Sequence, residues 1–229
     1  MKNIITTLAA LAMLASCGST SSLTSTTLED KYPGMYEEKP VSIVIMPPIN
    51  QTNHAEAKDY FYTTLYTPLC EKGYYVYSPY LTMEMFQQES AYDSELFLEG
   101  DLSKFREVLG ADAAMFTIIK DWRRSNIGGS LTVDIQYILR STKTGQTLYS
   151  RGGTITVDTS VNTGGGGLFG ALADLAATAI ATAATDKVVA GRQCNAYVLS
   201  DLPKGKYSSL YGKDQKNAAG KEHVTATVR

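Results

Sequence analysis

Residues 39–79 read KPVSIVIMPPINQTNHAEAKDYFYTTLYTPLCEKGYYVYSP, and their apolar positions change period twice. Residues 41–46 are a β-branched run of strand length, stopped by Pro47 and Pro48, which supply no backbone donor. Ala57, Phe61, Leu65 and Leu69 then recur every fourth residue, the spacing of one helix face, with Asn53 placed to cap and Glu56 three residues on. Gly73 ends that helix, and 74–77 starts a second strand. Short helices are expected at 81–88, with Met83 and Phe86 inward, and at 101–109, with Leu102, Phe105 and Leu109 inward before Gly110. Residues 113–120, AAMFTIIK, form an apolar run read as a central strand covered on both faces.

Beyond Trp122 the period becomes two. Leu131, Val133, Ile135, Tyr137 and Leu139 alternate with mostly polar neighbours, which marks a half-buried strand paired antiparallel with 146–158. Gly152-Gly153 is the expected bulge in that pair. An alanine-rich stretch at 168–190, stopped by Gly191, is read as a helix too polar to span a bilayer. The order predicts an α/β fold in two or three layers: a mixed sheet sandwiched with helices, with an antiparallel hairpin in the second half. Expected domain organisation is a single α/β domain over 40–199, preceded by a flexible tether at 17–39 and followed by a flexible basic tail at 200–229.

The first sixteen residues have one Lys and then an apolar run, as in a secretory signal peptide. Leu14-Ala15-Ser16-Cys17 resembles the lipobox of bacterial lipoproteins, which implies that Cys17 becomes the acylated first residue, carrying palmitate-type chains. An ordinary secreted chain with an incidental Cys17 is the alternative. Three acyl chains exceed the two signals that stable anchoring needs. Gly18 is not the Asp that retains such proteins at the inner membrane, so the resemblance favours the outer membrane. Cleavage removes Lys2 alone among charged groups and moves the formal charge from -2 to -3. Near-neutrality and export both argue against a nucleic-acid partner. Cys70 and Cys194 remain; they either pair in an oxidising periplasm or stay buried free thiols.

Catalytic signals are weak. The two histidines, His54 and His223, lie far apart in the chain, and neither a G-x-S-x-G elbow nor a zinc spacing occurs. Asp93 with Glu95, and Glu99 with Asp101, read as charged loop surface rather than glycosidase pairs. Gly165, Gly167 and Gly170 satisfy G-x-G-x-x-G, but after a late antiparallel hairpin rather than the first strand, so no nucleotide site and no cofactor or metal is expected; a hinge is the plainer reading. Seven of the fifteen tyrosines fall at 60–80. Tyr62 and Tyr66, one turn apart, are candidates for an outward aromatic strip that binds a protein partner or a glycan, with amphipathic edges of the core as the alternative. Trp122, beside Arg123 and Arg124, is a second candidate contact. Ala173, Ala177, Ala181 and Ala184 form a small-residue face that admits a second copy of the chain or the chain's own sheet.

With VIMPPIN-x-T, the run A-x-x-YF-x-TTL-x-x-PL-x-E-x-GYYV and the later LGADA in view, residues 17–194 resemble a family of bacterial lipoproteins of unknown function. The resemblance implies association with a lipoprotein similar to the curli secretion channel, and a fold similar to the N-terminal domain of the Tol-system propeller protein. It thus implies a non-enzymatic accessory or assembly role in envelope transport at the outer membrane, as an oligomer docked on envelope proteins. The alternative is a lipoprotein that binds a glycan or peptidoglycan fragment in a tyrosine-lined groove at the strand ends.

Overall fold

The computed structural model describes residues 26–89, 92–125, 130–158 and 179–228, with side chains for all but 179–187. In chain order the elements are α1 (Leu28–Lys31), α2 (Pro33–Glu38), β1 (Ser42–Ile45), β2 (Ile49–Asn50), α3 (Ala57–Thr64), α4 (Tyr66–Glu71), β3 (Tyr75–Val76), α5 (Pro79–Gln88), α6 (Glu95–Leu98), α7 (Ser103–Leu109), β4 (Ala113–Arg124), β5 (Ser130–Ser141), β6 (Thr147–Asp158), α8 (Ala179–Val198) and β7 (His223–Val228). The fold class is the expected one, a mixed seven-stranded sheet with helices.

The sheet runs β3-β1-β4-β5-β6-β7, with β2 also on β4. β1 and β2 lie in succession along β4, interrupted where Pro47 and Pro48 donate nothing. β4 pairs antiparallel with β5, and β5 with β6. Alternation along β1 and β4 divides the core: Ile43, Ile45, Ala113 and Met115 join the larger cluster with Phe61, Leu65, Leu69 and Cys194, while Val44, Met46, Ala114 and Phe116 meet Phe86, Leu102 and Phe105 on the opposite face. The molecule is three layers deep there. On β5 the outward positions stay half exposed, as its period-two pattern predicts.

Several expectations give way. The chain between β2 and α3 is a turn: Asn50 Oδ1 accepts from Thr52 N and Thr52 Oγ1 from His54 N, so the helix begins only at Ala57, and Asn53 and Glu56 form no capping box. The predicted single helix divides after Thr64 because Pro68 cannot donate to the Thr64 carbonyl. Its four inward residues are nonetheless fully buried. Gly152 and Gly153 pair regularly with Gln136 and Ile135, and the register shift falls instead between Leu139 and Arg140. The glycines admit close neighbours: a methyl on Gly153 would stand 2.6 Å from Val198 Cγ2. Gly191 does not stop α8, which continues to Val198 with that glycine against Thr64.

Both flanking segments are structured where described. Thr27 and Asp30 form a capping box for α1, Pro33 opens α2, and Leu28, Tyr32 and Met35 are buried, so the stretch 27–39 is part of the folded body rather than tether. The expected flexible tail instead packs back on the fold. Gly205 N donates to the Lys72 carbonyl and Tyr207 N to the Gly73 carbonyl (both 2.9 Å), and β7 adds a parallel strand to β6. The four-glycine hinge lies outside the described residues.

Candidate functional site

Among the described residues β3 is an edge strand of the sheet, and exposed aromatic side chains lie on it and on the helix that follows. Tyr75 on β3 is 53% exposed, and Tyr80, at the start of α5, is 80% exposed; Leu81 and Met85 continue the exposed side of α5. The Tyr75 ring meets Tyr77 edge-on at 5.2 Å, and the Tyr77 hydroxyl donates to the Leu109 carbonyl (2.6 Å), which fixes the strand. Tyr66 on α4 joins the same edge; its hydroxyl lies by the Cys70 thiol, and that hydrogen bond, with nearby Tyr75, holds its pKa above the ordinary tyrosine value.

The residues singled out from sequence scatter. Tyr62 is only 5% exposed: its hydroxyl donates to the Pro79 carbonyl (2.8 Å) and shares a 3.0 Å hydrogen bond with Thr82 Oγ1, which ties α3 to α5. Burial pushes its pKa up to about 12. Tyr62 and Tyr66 therefore form no outward strip. Trp122, 5% exposed, packs edge-on against Phe61 at 5.8 Å and is core. Cys70 and Cys194 are free thiols, the first partly and the second wholly buried. Burial raises the Cys194 thiol far above its ordinary value, so it carries no thiolate. Cys17 and Ala177 lie outside the described residues, and Ala181 is on α8 among the residues whose side chains are not described.

A cleft of about 240 Å³ opens at the starting ends of β1 and β3, lined by Tyr36, Tyr74, Tyr211, Lys39, Lys204 and Gln215. Tyr74 donates to the Pro203 carbonyl (2.7 Å), and Lys204 N donates to Asp214 Oδ2 (2.7 Å). The Tyr36 hydroxyl and Asp214 Oδ1 are buried and fall short of hydrogen-bond geometry with any partner among the described residues. Burial, then the Asp214 charge, raise the pKa of both Tyr36 and Tyr74. Glu29 lines the cleft as well, so the protonated hydroxyls of Tyr36 and Tyr74 stand near the lining carboxylate of Glu29 and the buried one of Asp214, a setting for binding polar groups.

Sequence reasoning missed a buried polar hub. Arg151 on β6 forms a 3.0 Å ion pair with Asp201 and donates to the Tyr197 and Val198 carbonyls, capping the end of α8. Tyr32, Tyr149 and Gly220 N donate to the same carboxylate at 3.0–3.1 Å. One carboxylate, with the Lys31 ammonium of α1 also 3.8 Å away, thereby joins the α1–α2 junction, β6, the end of α8 and the tail. A second charged group, Asp112, accepts from the backbone N–H groups of Val41 and Ser42 and from Arg106. Burial raises its pKa, but those donors outweigh it and leave the carboxyl below its ordinary range. This is the role of the Asp in LGADA, pinning β1 beside β4.

Among the described residues no cluster of three His, Cys, Asp or Glu is disposed to hold a metal, and no helix is long and apolar enough to cross a membrane. Compared with known families, residues 30–211 match the family described as "Putative lipoprotein GNA1162-like". The chain belongs to the GNA1162-like lipoproteins. Such a family is held at a membrane by lipid, and the match runs past Cys194 into the packed tail. A relative described as "Putative lipoprotein NMB1124/NMB1162", of Neisseria meningitidis serogroup B, is 26% identical over 189 residues, which cover 82% of this chain and 85% of that protein. The crystal structure of lipoprotein GNA1162 from Neisseria meningitidis superposes with a TM-score of 0.50 at 24% identity, over 62% of this chain and 99% of that one, a likeness of fold.

Proposed function

We propose that this GNA1162-like lipoprotein is a non-enzymatic accessory or assembly subunit of an envelope transport system, acylated at Cys17, held at the outer membrane and docked on an envelope protein such as a channel-like lipoprotein. The observation that carries the reading is the aromatic edge: Tyr75 and Tyr80, with Tyr66, Leu81 and Met85, lie exposed around a two-residue edge strand. Tyrosines that present rigid apolar rings with a polar tip are favoured anchors of protein interfaces, and the edge strand adds backbone donors and acceptors. The non-enzymatic part is supported by the structural use of Asp30, Asp101 and Asp112, whose oxygens accept hydrogen bonds from Thr27, from Ser103 and from Val41 and Ser42 within the fold. His54 and His223 lie beside β2 and on β7, with β4, β5 and β6 between them, which supports the same reading. Co-purification from membranes tests docking: Tyr75→Ala with Tyr80→Ala is expected to cut partner recovery roughly tenfold or more at unchanged thermal stability. Undiminished recovery would contradict it.

The cleft favours a second reading, a glycan or peptidoglycan-fragment site, through its tyrosine rings and the lysine and carboxylate side chains of Lys39 and Glu29 that line it. Saccharide titration followed by tyrosine fluorescence, with Tyr211→Ala as control, distinguishes it: saturable binding lost in the variant supports the cleft, and no response rejects it.

A further inference from the structure

The loop 204–216 reads KGKYSSLYGKDQK and carries Lys204, Lys206, Lys213 and Lys216 against one carboxylate, Asp214, which is buried and bound to Lys204 N. Lys206, Lys213 and Lys216 are exposed, and so are Tyr207, Leu210 and Tyr211. In a chain of formal charge -2 this is a local excess of positive charge interleaved with apolar tips. The loop is also firmly held. Its turns are closed by Ser208 N to the Gly205 carbonyl, Tyr211 N to Ser208 and Lys213 N to Leu210 (3.0–3.1 Å), and Gly205 and Gly73 are in such close contact that neither has room for a side chain.

The loop also adjoins the place where the N-terminal segment enters the fold. Ala219 N donates to the Thr26 carbonyl (2.8 Å), Leu28 N to Asn217 (2.9 Å) and Glu29 N to Gln215 (3.1 Å). From Cys17 to Thr26 there are nine residue steps, so Thr26 stays within about 30 Å of the acylated residue whatever path the chain takes. A tether running to Lys39, as sequence alone suggests, would reach more than twice as far. Attachment through Thr26 biases this side of the fold toward the lipid, and the C-terminal end of the lysine loop adjoins it at Gln215 and Asn217. Glu29 and Asp30 lie beside it on α1, but the Asp30 carboxylate is turned onto Thr27.

We propose that loop 204–216 is a membrane-facing surface, with Lys206, Lys213 and Lys216 against the phosphates of anionic phospholipids in the leaflet that holds the acyl chains, and Tyr207, Leu210 and Tyr211 at headgroup level. The proposal rests on anchoring at Cys17. Lysine attraction to such a surface acts within about 8 Å at physiological salt, so it needs a tether that keeps this face close. Apolar and aromatic tips settle into the same interface.

The test uses the acylated protein reconstituted into phosphatidylcholine vesicles with or without phosphatidylglycerol. Lysine acetylation rates are read by peptide mass spectrometry at Lys206, Lys213 and Lys216, with exposed Lys58 and Lys143 as references. Phosphatidylglycerol is expected to slow the three loop lysines by roughly threefold or more and leave the references unchanged, with the protection lost in high salt. Equal rates in both vesicle types, in protein that floats with the lipid, overturn the proposal and leave anchoring intact. Protein that carries no acyl chains and floats with neither vesicle overturns anchoring and the proposal together. A Tyr207→Ser, Leu210→Ser variant of unchanged thermal stability supplies a second readout: protection should weaken, and full protection would contradict the role of the apolar tips.

Discussion

Tyr62 and Tyr80 show how the same side chain serves two ends. Tyr62 spends its hydroxyl inside the fold on Pro79 and Thr82, whereas Tyr80 stands in solvent. Tyr62→Phe should therefore cost about 1 kcal/mol of stability through the lost hydrogen bonds and leave partner recovery intact. Tyr80→Ala should stay within about 0.5 kcal/mol of the parent and reduce recovery. Urea unfolding with co-purification checks both, and a Tyr62 variant that keeps full stability but loses partner would reverse the assignment. Gly205 is a further single-residue constraint. A methyl there overlaps the Gly73 carbonyl, so Gly205→Ala should cost about 2 kcal/mol and lower the thermal midpoint by roughly 4–8 °C. At this scale the sequence reveals residue type but not direction. Helical spacing correctly placed Phe61, Leu65 and Leu69 inward and left Tyr62 open between an outward strip and an edge of the core; the second holds, because α3 is covered by α5 as well as by the sheet.

Among elements, legibility followed the length of the periodic signal. β4 and β5 are twelve residues each, with an unbroken apolar run and strict alternation, and both appear where expected. β7 was hidden in a polar tail, although Val224, Ala226 and Val228 alternate with exposed positions there and carry the signal that would have found it. Thr27-Leu28-Glu29-Asp30 likewise spells a capping box that a serine- and threonine-rich context obscures. The Arg151–Asp201 pair left no local trace, since fifty residues separate its members and only folding joins them. Its role is an element-scale prediction. Arg151→Gln takes from a buried carboxylate the nearer of its two cations, leaving Lys31 at 3.8 Å, and leaves the end of α8 without its cap; it should cost about 2 kcal/mol. Hydrogen exchange should accelerate first at α1, α2 and 199–221, and uniform acceleration across the sheet would contradict the latch.

For the whole molecule, the buried tyrosines set the response to alkali. Burial raises the pKa of Tyr74, Tyr137 and Tyr149 far above the ordinary value and that of Tyr62 to about 12. Their protons stay on in the folded state but leave the unfolded chain from about pH 10, so the stability they contribute is full below pH 10 and is lost as pH rises. Lys72 opposes this. Burial, then the charge of Lys204, lower it to about 8, so its contribution grows as pH rises from about 8 to 10.5. Four tyrosines outweigh one lysine, and the urea midpoint should fall between about pH 10 and 12, with part of the tyrosinate absorbance appearing only on unfolding. Complete tyrosine titration near pH 10 in the folded protein would contradict the burial assigned to them. The proposed docking edge at Tyr75 and the proposed lipid-facing loop are neighbours, since Gly205 and Tyr207 bond the chain at Lys72 and Gly73 just before β3. The most direct test is the native mass and composition of the acylated protein extracted gently from outer membranes. The account predicts a particle larger than one chain that contains a second envelope protein and loses it in the Tyr75→Ala, Tyr80→Ala variant. A lone chain that yields no protein adduct on crosslinking would contradict it.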